Sequence, residues 1–563
     1  MPHLRIVLAQ LNPTVGDLEG NHKRVVDGIL QAKSWRADLV IVPELALTGY
    51  PPEDLLLKPQ FVDDNLGILR RLHAMSQGLV AIVGFVDRNR QGRLFNAAAV
   101  LVNGRQVVIY HKQCLPNYGV FDEQRYFLPG SRAVVLSLNG LRIGITICED
   151  LWEARPAAIL ARAGCRLLVN LSASPYHAGK LHERRRLFAK RARANHLAIA
   201  YCNVVGGQDE LVFDGASFIL DARGRVVARA AQCREDLLVA DLSLQPAARR
   251  QTTTFVHLIP VRWAPRRSAP LAPRPRPLLG PREEIYEALV LGTRDYVRKN
   301  GFETVVLGLS GGIDSSLTAC VAVDALGSAH VVGVVMPSRF SSNETQHDAR
   351  RLAQALGIRC EALSIESCFT AYLDTLHGLF ANRPSDVAEQ NLQARIRGTL
   401  LMALSNKFGW LVLTTGNKSE MATGYCTLYG DMAGGFAVIK DVPKTVVYQL
   451  ARFRNQRGPG RPIPERVFRR APTAELAPNQ TDTDSLPPYE RLDPILRAYV
   501  EEDRSMRDIL SANRFDPAVV EGVIRMVDRT EYKRRQGPPG IKITPKAFGR
   551  DRRMPITNRY HQS

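Results

Sequence analysis

Thr304-Val-Val-Leu-Gly-Leu-Ser-Gly-Gly-Ile-Asp-Ser315 is the stretch whose reading decides the fold. The β-branched run Thr304 to Gly308 reads as a short buried strand, and the residues from Asp314 to Leu326 read as a helix. A strand, a glycine-rich turn and a helix in that order open a doubly wound parallel sheet. The turn itself has a chemistry. Its paired glycines let backbone come close to a phosphate, the hydroxyls of Ser310 and Ser315 add donors, and the helix N-terminus favours an anion. The GxxxxGK[ST] pattern is absent, and with it the lysine that grips a γ-phosphate in that loop.

Working outward, the same alternation continues. Glu283 to Asn300 and Thr345 to Leu356 read as helices, while Val331-Val-Gly-Val-Val335 and Trp410-Leu-Val-Leu413 read as strands. Upstream, from 247 to 281, Pro260, Pro265, Pro270, Pro273, Pro275, Pro277 and Pro281 lie among arginines and small residues, the composition of a stiff extended linker. Residues 1–246 form a second α/β layered region. Its strands are expected at Arg5–Gln10, Leu39–Pro43, Ala81–Gly84, Ala97–Leu101, Ile143–Ile147 and Leu167–Asn170, with helices at Asn21–Lys33 and Ala178–Asn195. Residues 282–563 make the other domain, ending in a Pro-, Gly-, Lys- and Arg-rich tail from Gly537 that reads as loop. There are no internal repeats.

A chain of 563 residues implies two to four domains. With 45% hydrophobic and 23% charged residues, the composition is that of a soluble globular protein. No run approaches the roughly 18–20 apolar residues of a membrane span. The N-terminus lacks the basic, apolar and small-residue order of a signal peptide and reads as a first strand. Nine scattered cysteines without a CxxC pair fit reduced thiols in the cytoplasm. The net charge of +20 is open to three explanations: a basic surface, a phosphate-rich small substrate, or nucleic acid. No nucleic-acid-binding motif accompanies it, so the expectation is none.

Cys148 ends an apolar run, Gly144-Ile-Thr-Ile-Cys-Glu-Asp150, where a side chain can face a cleft. Glu44 follows Val42-Pro43, and Lys112 ends a strand in Tyr110-His-Lys-Gln-Cys-Leu-Pro-Asn-Tyr118. These three segments, in this order, resemble the nitrilase or carbon-nitrogen hydrolase superfamily. The resemblance implies an α-β-β-α sandwich with Glu44, Lys112 and Cys148 as the catalytic set. Amide hydrolysis needs a thiol that loses its proton to a base, Glu44, and a donor for the developing oxyanion, Lys112. Glu123, in Phe121-Asp-Glu-Gln-Arg125, matches a second supporting glutamate of the superfamily. The segment Pro116-Asn-Tyr-Gly-Val-Phe-Asp-Glu123 looks like the glutamine-dependent NAD synthetase branch, which implies that Tyr118, Ser174 and Lys180 hold glutamine.

Gly308-Leu309-Ser310-Gly311-Gly312-Ile313-Asp314-Ser315 resembles the loop of the ATP pyrophosphatases, which cleave ATP between the α and β phosphates. Asp314 is expected to help hold Mg²⁺, a hard cation that prefers oxygen. Asn391-Leu-Gln-Ala-Arg-Ile-Arg397 puts Asn391 and Arg395 on one helix face and resembles an NAD synthetase signature for deamido-NAD. In Thr414-Thr-Gly-Asn-Lys-Ser-Glu420 the resemblance gives Thr415 to ATP, Lys418 to phosphate charge, and Glu420 to deamido-NAD or metal. Lys440-Asp-Val-Pro-Lys444 and Tyr532-Lys-Arg-Arg-Gln536 continue the pattern, with Lys533 a deamido-NAD contact. The implied reaction amidates deamido-NAD with glutamine nitrogen at the expense of ATP, with ammonia passing internally between sites in a homo-oligomer. Another glutamine-fed adenylating ligase is the alternative within enzymes, and a nucleic-acid binder with relic catalytic domains is the alternative outside them. The segment 452–474 looks least like the family.

Overall fold

The computed structural model describes residues 3–244, 256–261, 269, 271–272, 274–381, 383–457, 460–512 and 515–560. The chain divides into two compact units, 1–208 with 212–279 and 209–211 with 280–563.

The first unit is built on two sheets. One has six strands in the order Asp236–Ser243, His3–Gln10, Leu39–Ile41, Val80–Arg88, Leu94–Val102, Arg105–His111. The other has seven, in the order Val226–Arg229, Phe218–Leu220, Ala198–Asn203, Leu167–Ser172, Leu141–Ile147, Ala133–Leu138, Val256–Val261. Strands apolar on both faces pack on both sides. In the first strand Leu4, Ile6 and Leu8 join Ile143, Ile145 and Ile147 in a core between the sheets. The alternate residues Val7 and Ala9 pack with Val25 and Ile29 of the helix Leu18–Ser34. On the far side, Leu168 and Ile199 meet Leu160 and Phe188 of the helices Ala154–Arg162 and Lys180–Asn195. This is the α-β-β-α sandwich expected from the sequence.

Val256–Val261 falls inside the stretch read as a linker. It is an edge strand, running parallel to Ala133–Leu138 with Pro260 opposite Ser137. Proline is tolerated there because an edge strand can leave one side of its backbone unpaired. Residues 247–255 and the prolines Pro265, Pro270 and Pro273 lie outside the described residues.

The second unit carries a five-stranded parallel sheet in the order Arg359–Ala362, Val331–Val335, Val305–Gly308, Leu411–Thr414, Phe436–Ala437. Strand order reverses beside Val305–Gly308, and the C-terminal ends of that strand and of Leu411–Thr414 flank the switch point, where doubly wound sheets bind ligands. A helical cluster follows that the sequence reading did not separate. Tyr489, Leu492, Ile495, Val520, Val523, Ile524 and Phe548 share one core. Ile541, Lys542, Ile543 and Thr544, expected as plain loop, are buried. Among the described residues no helix is long and apolar enough to cross a membrane. All nine cysteines are free thiols.

Candidate functional site

Three strand ends of the first unit deliver the first site. Glu44 lies just beyond Leu39–Ile41, Lys112 just beyond Arg105–His111, and Cys148 just beyond Leu141–Ile147. The Lys112 ammonium is fully buried and donates to Glu44 Oε1 at 2.7 Å and to Glu123 Oε1 at 2.8 Å. Glu44 Oε1 also accepts from Asn96 Nδ2 at 2.7 Å, and its Oε2 accepts from the Ala173 amide at 2.7 Å. Tyr50 donates its hydroxyl to Glu123 at 2.9 Å. Glu44, Lys112, Glu123 and Cys148 are thus one buried cluster, as the sequence expected.

Burial pushes the Cys148 thiol well up, and the Glu44 charge adds to it, while Lys112 opposes. Burial and the Glu44 charge both favour the thiol over the thiolate. Burial likewise raises Glu123 to about 7, with Lys112 pulling it down and Glu44 pushing it up. Cys148 adopts a left-handed backbone, φ 40°, at the turn from strand to helix. Such a conformation persists where the surroundings over-determine it. Asp150 supplies that constraint: it accepts from Ile147 N at 2.9 Å and Tyr110 OH at 2.7 Å, and from Gln113 N and Cys114 N at 3.0 and 2.8 Å. One buried carboxylate ties the turn at Cys148 to the segment that follows Lys112. Asp150 is itself fully buried.

Tyr118 is largely exposed and donates to Glu149 at 3.0 Å. Ser174 is buried, its amide bonded to Asn203 Oδ1 at 2.9 Å. Lys180 sits 4.2 Å from the Trp152 ring centre and 3.4 Å from Glu183. Burial lowers its pKa, with Glu183 and, more weakly, Cys148 holding it up, so Lys180 lies within electrostatic range of Cys148. Asn96 and Tyr50 were missed. The one available signal was a lone asparagine in the apolar strand Leu94-Phe-Asn-Ala-Ala-Ala-Val-Leu-Val102.

The second site lies at the sheet switch point. Gly311 has φ +76°, and a Cβ there would stand 2.1 Å from the Thr345 carbonyl oxygen, so only glycine fits. Ser310 Oγ accepts from Gly312 N at 3.2 Å and lies 3.1 Å from Ser315 Oγ, which holds the loop closed on itself. Leu309 and Ile313 are buried anchors at either end, and Gly308 ends the strand. The helix Ile313–Leu326 begins directly behind, its first turn presenting Asp314.

Asp314 Oδ2 accepts from Lys444 Nζ at 2.6 Å, and Glu420 Oε1 accepts from the same ammonium at 3.2 Å. Asn417 Nδ2 holds the other Asp314 oxygen at 2.9 Å. Burial works against the Lys444 charge, but Asp314 and Glu420 outweigh it and its pKa is raised. Burial raises Glu420 to about 8, with Asp314 adding to the shift. Lys418, expected to neutralise phosphate, is instead buried against Glu501 at 2.7 Å, Thr544 Oγ1 at 2.6 Å and Asp441 at 2.9 Å. Lys444 is the lysine that meets Asp314, the loop's carboxylate.

Thr415 is half-buried immediately after Leu411–Thr414. The other candidates converge on one loop. Asn391 Oδ1 accepts from Thr427 Oγ1 at 2.7 Å, Arg395 donates to the Leu428 carbonyl at 3.2 Å, and Lys533 donates to the Gly424 and Cys426 carbonyls at 2.8 and 2.9 Å. Among the described residues no three His, Cys, Asp or Glu side chains converge as a ready metal cage.

Two family models match the chain: carbon-nitrogen hydrolase over residues 5–250 and NAD synthase over 285–537. The glutamine-dependent NAD(+) synthetase of Thermotoga maritima is 49% identical over the whole of both chains. The solved structure of the Acinetobacter baumannii glutamine-dependent NAD+ synthetase in complex with ADP is 43% identical, covers 99% of each chain and has a TM-score of 0.75. That of a Cytophaga hutchinsonii glutamine-dependent NAD(+) synthetase, 23% identical over 99% of this chain and 98% of that one, has a TM-score of 0.83 and shares the fold. With a buried Glu–Lys–Cys cluster in one unit, a glycine-rich strand-to-helix loop in the other and such relatives over its full length, the chain belongs to the glutamine-dependent NAD(+) synthetases.

Proposed function

We propose that this chain joins glutamine nitrogen to the nicotinate carboxylate of deamido-NAD, with residues 1–246 as the glutaminase and 282–563 as the ATP-consuming synthetase. The carrying observation is the buried contact of Lys112 with both Glu44 and Glu123 beside a protonated Cys148. In the glutaminase, glutamine is held by Tyr118, Ser174 and Lys180. Glu44 takes the Cys148 proton as sulfur attacks the carboxamide carbon, and Lys112 stabilises the oxyanion. Glu44 returns the proton to nitrogen, ammonia leaves and a thioester remains. Water, deprotonated by Glu44, then releases glutamate and restores the thiol.

In the synthetase, the loop amides and hydroxyls of 308–315, with Thr415, hold ATP, and Asn391, Arg395, Glu420 and Lys533 hold deamido-NAD. The nicotinate carboxylate attacks the α-phosphorus, pyrophosphate leaves, and ammonia displaces AMP from the acyl-adenylate. Magnesium fits Asp314 and Glu420, because each already turns one carboxylate oxygen to a shared cation, Lys444. A phosphate-bound Mg²⁺ needs only one or two such carboxylates, and when bound it offsets phosphate charge. Nine free thiols support a cytoplasmic setting. Exposed Tyr372, Leu379, Val387 and Phe408 on the helices Glu366–Phe380 and Val387–Phe408 support a homo-oligomer.

The test is Cys148→Ala with glutamine or ammonium as nitrogen source. Glutamine-dependent NAD formation is expected to vanish while ammonium-dependent formation stays within about twofold of wild type, the adenylating chemistry being untouched. Equal loss of both contradicts two separate sites.

A further inference from the structure

Two carboxylates share the Lys112 ammonium, yet the glutaminase needs only one of them as its base. We infer that Asn96 is a positioning residue that fixes the negative charge on Glu44 rather than Glu123, and so selects the base. This rests on the glutaminase reading above.

Asn96 sits fully buried in the strand Leu94–Val102, followed by Ala97, Ala98, Ala99 and Val100. A carboxamide in such a run costs free energy unless its hydrogen bonds are made. Its Nδ2 is 2.7 Å from Glu44 Oε1 and 3.4 Å from Glu123 Oε2. Glu44 Oε1, which also accepts from Lys112, is the acceptor that sets the amide's orientation, and Asn96 Oδ1 makes no hydrogen bond of its own among the described residues. Each carboxylate faces three donors, but the distances are unequal. Glu44 receives Lys112, Asn96 and the Ala173 amide, all at 2.7 Å. Glu123 receives Lys112 at 2.8 Å, Tyr50 at 2.9 Å and Asn96 only at 3.4 Å. Hydrogen bonds to the charged form favour it, so Glu44 is held ionised and Glu123 becomes the carboxylate that retains a proton. The other groups facing Glu44 electrostatically are Cys148, Tyr50 and Glu149. None of them donates to it.

Two variants test this, each assayed for glutamine hydrolysis from pH 5 to 9, for ammonium-dependent NAD synthesis, and for thermal midpoint. Asn96→Leu removes the donor at similar size. Glutaminase kcat/KM is expected to fall about tenfold to a hundredfold, the weight of one hydrogen bond to a charged group. Without that donor Glu44 binds its proton more tightly, so the acid limb of the profile moves to higher pH. Asn96→Asp keeps the shape but replaces the donor by a third carboxylate. It is expected to be inactive in glutamine hydrolysis at neutral pH and to recover activity as the pH falls and the introduced carboxyl gains a proton to donate. Ammonium-dependent synthesis should match wild type in both. A wild-type acid limb in Asn96→Leu, or no acid recovery in a folded Asn96→Asp, overturns the inference. A wild-type chain that hydrolyses no glutamine overturns the reading beneath it as well, which sets the two failures apart.

Discussion

The two sites are built on the same device and use it differently. Each surrounds a buried lysine with two carboxylates: Lys112 with Glu44 and Glu123, Lys444 with Asp314 and Glu420. In the first, the side chains are 0%, 0% and 5% exposed, and Asn96, Tyr50 and the Ala173 amide complete the shell. In the second, both carboxylates are 17% exposed, at a sheet switch point open to ligands. A buried cluster keeps its charges out of water and can pass protons to a substrate that docks against it. An open one can exchange its cation and receive a polyanion. On the function proposed above, the same trio of side-chain types would serve acid–base chemistry in one unit and phosphate chemistry in the other, according to the access around it.

Removing each lysine tests that contrast most strongly. Lys112→Met is expected to leave the buried Glu44 charge uncompensated, at a cost of about 3–5 kcal/mol, and to abolish glutamine hydrolysis. Calorimetry and a glutaminase assay check it. Lys444→Met should cost much less stability, since its half-open carboxylates can hydrate, yet lower AMP and pyrophosphate formation by about a hundredfold or more. Equal losses of thermal midpoint in the two variants would break the comparison.

Glu123→Gln sharpens it further. A carboxyl raised to about 7 in the fold, from 4.5 unfolded, binds more protons folded than unfolded between those values. The stability it contributes is therefore complete below about 4.5 and is lost as pH rises through 7. The variant should flatten that decline in the thermal midpoint between pH 4.5 and 7, the smallest of the three effects. A slope unchanged from wild type would remove Glu123 as the proton holder.

Local pattern carried the reading as far as chemistry coincides with strand ends. Glu44, Lys112, Cys148 and the loop 308–315 each follow an apolar run, so periodicity and turn residues put them at strand ends, and the resemblance to known families singles them out there. Asn96 and Asp150 act through contacts 52 and 36–40 positions away, which no window of neighbouring residues contains. Lys418 and Lys444 look alike in sequence. Only packing turns one inward to Asp441 and Glu501 and the other to Asp314. The strand Val256–Val261 was hidden because its Pro260 and the prolines around it read as linker, whereas the edge of a sheet accepts them.

Asp441 accepts from the Ile543 and Thr544 amides at 2.8 and 2.7 Å, across 102 and 103 positions, and Thr544 in turn receives the Lys418 ammonium across 126. Chains emerge from the ribosome N-terminal end first, and pairings this distant must wait for the later partner. The sandwich of the first unit can be complete while the knot that anchors Lys418, next to the nucleotide loop, still lacks its other half. Vectorial synthesis thus lets the Cys148 cluster take shape before the surroundings of Lys418 are complete.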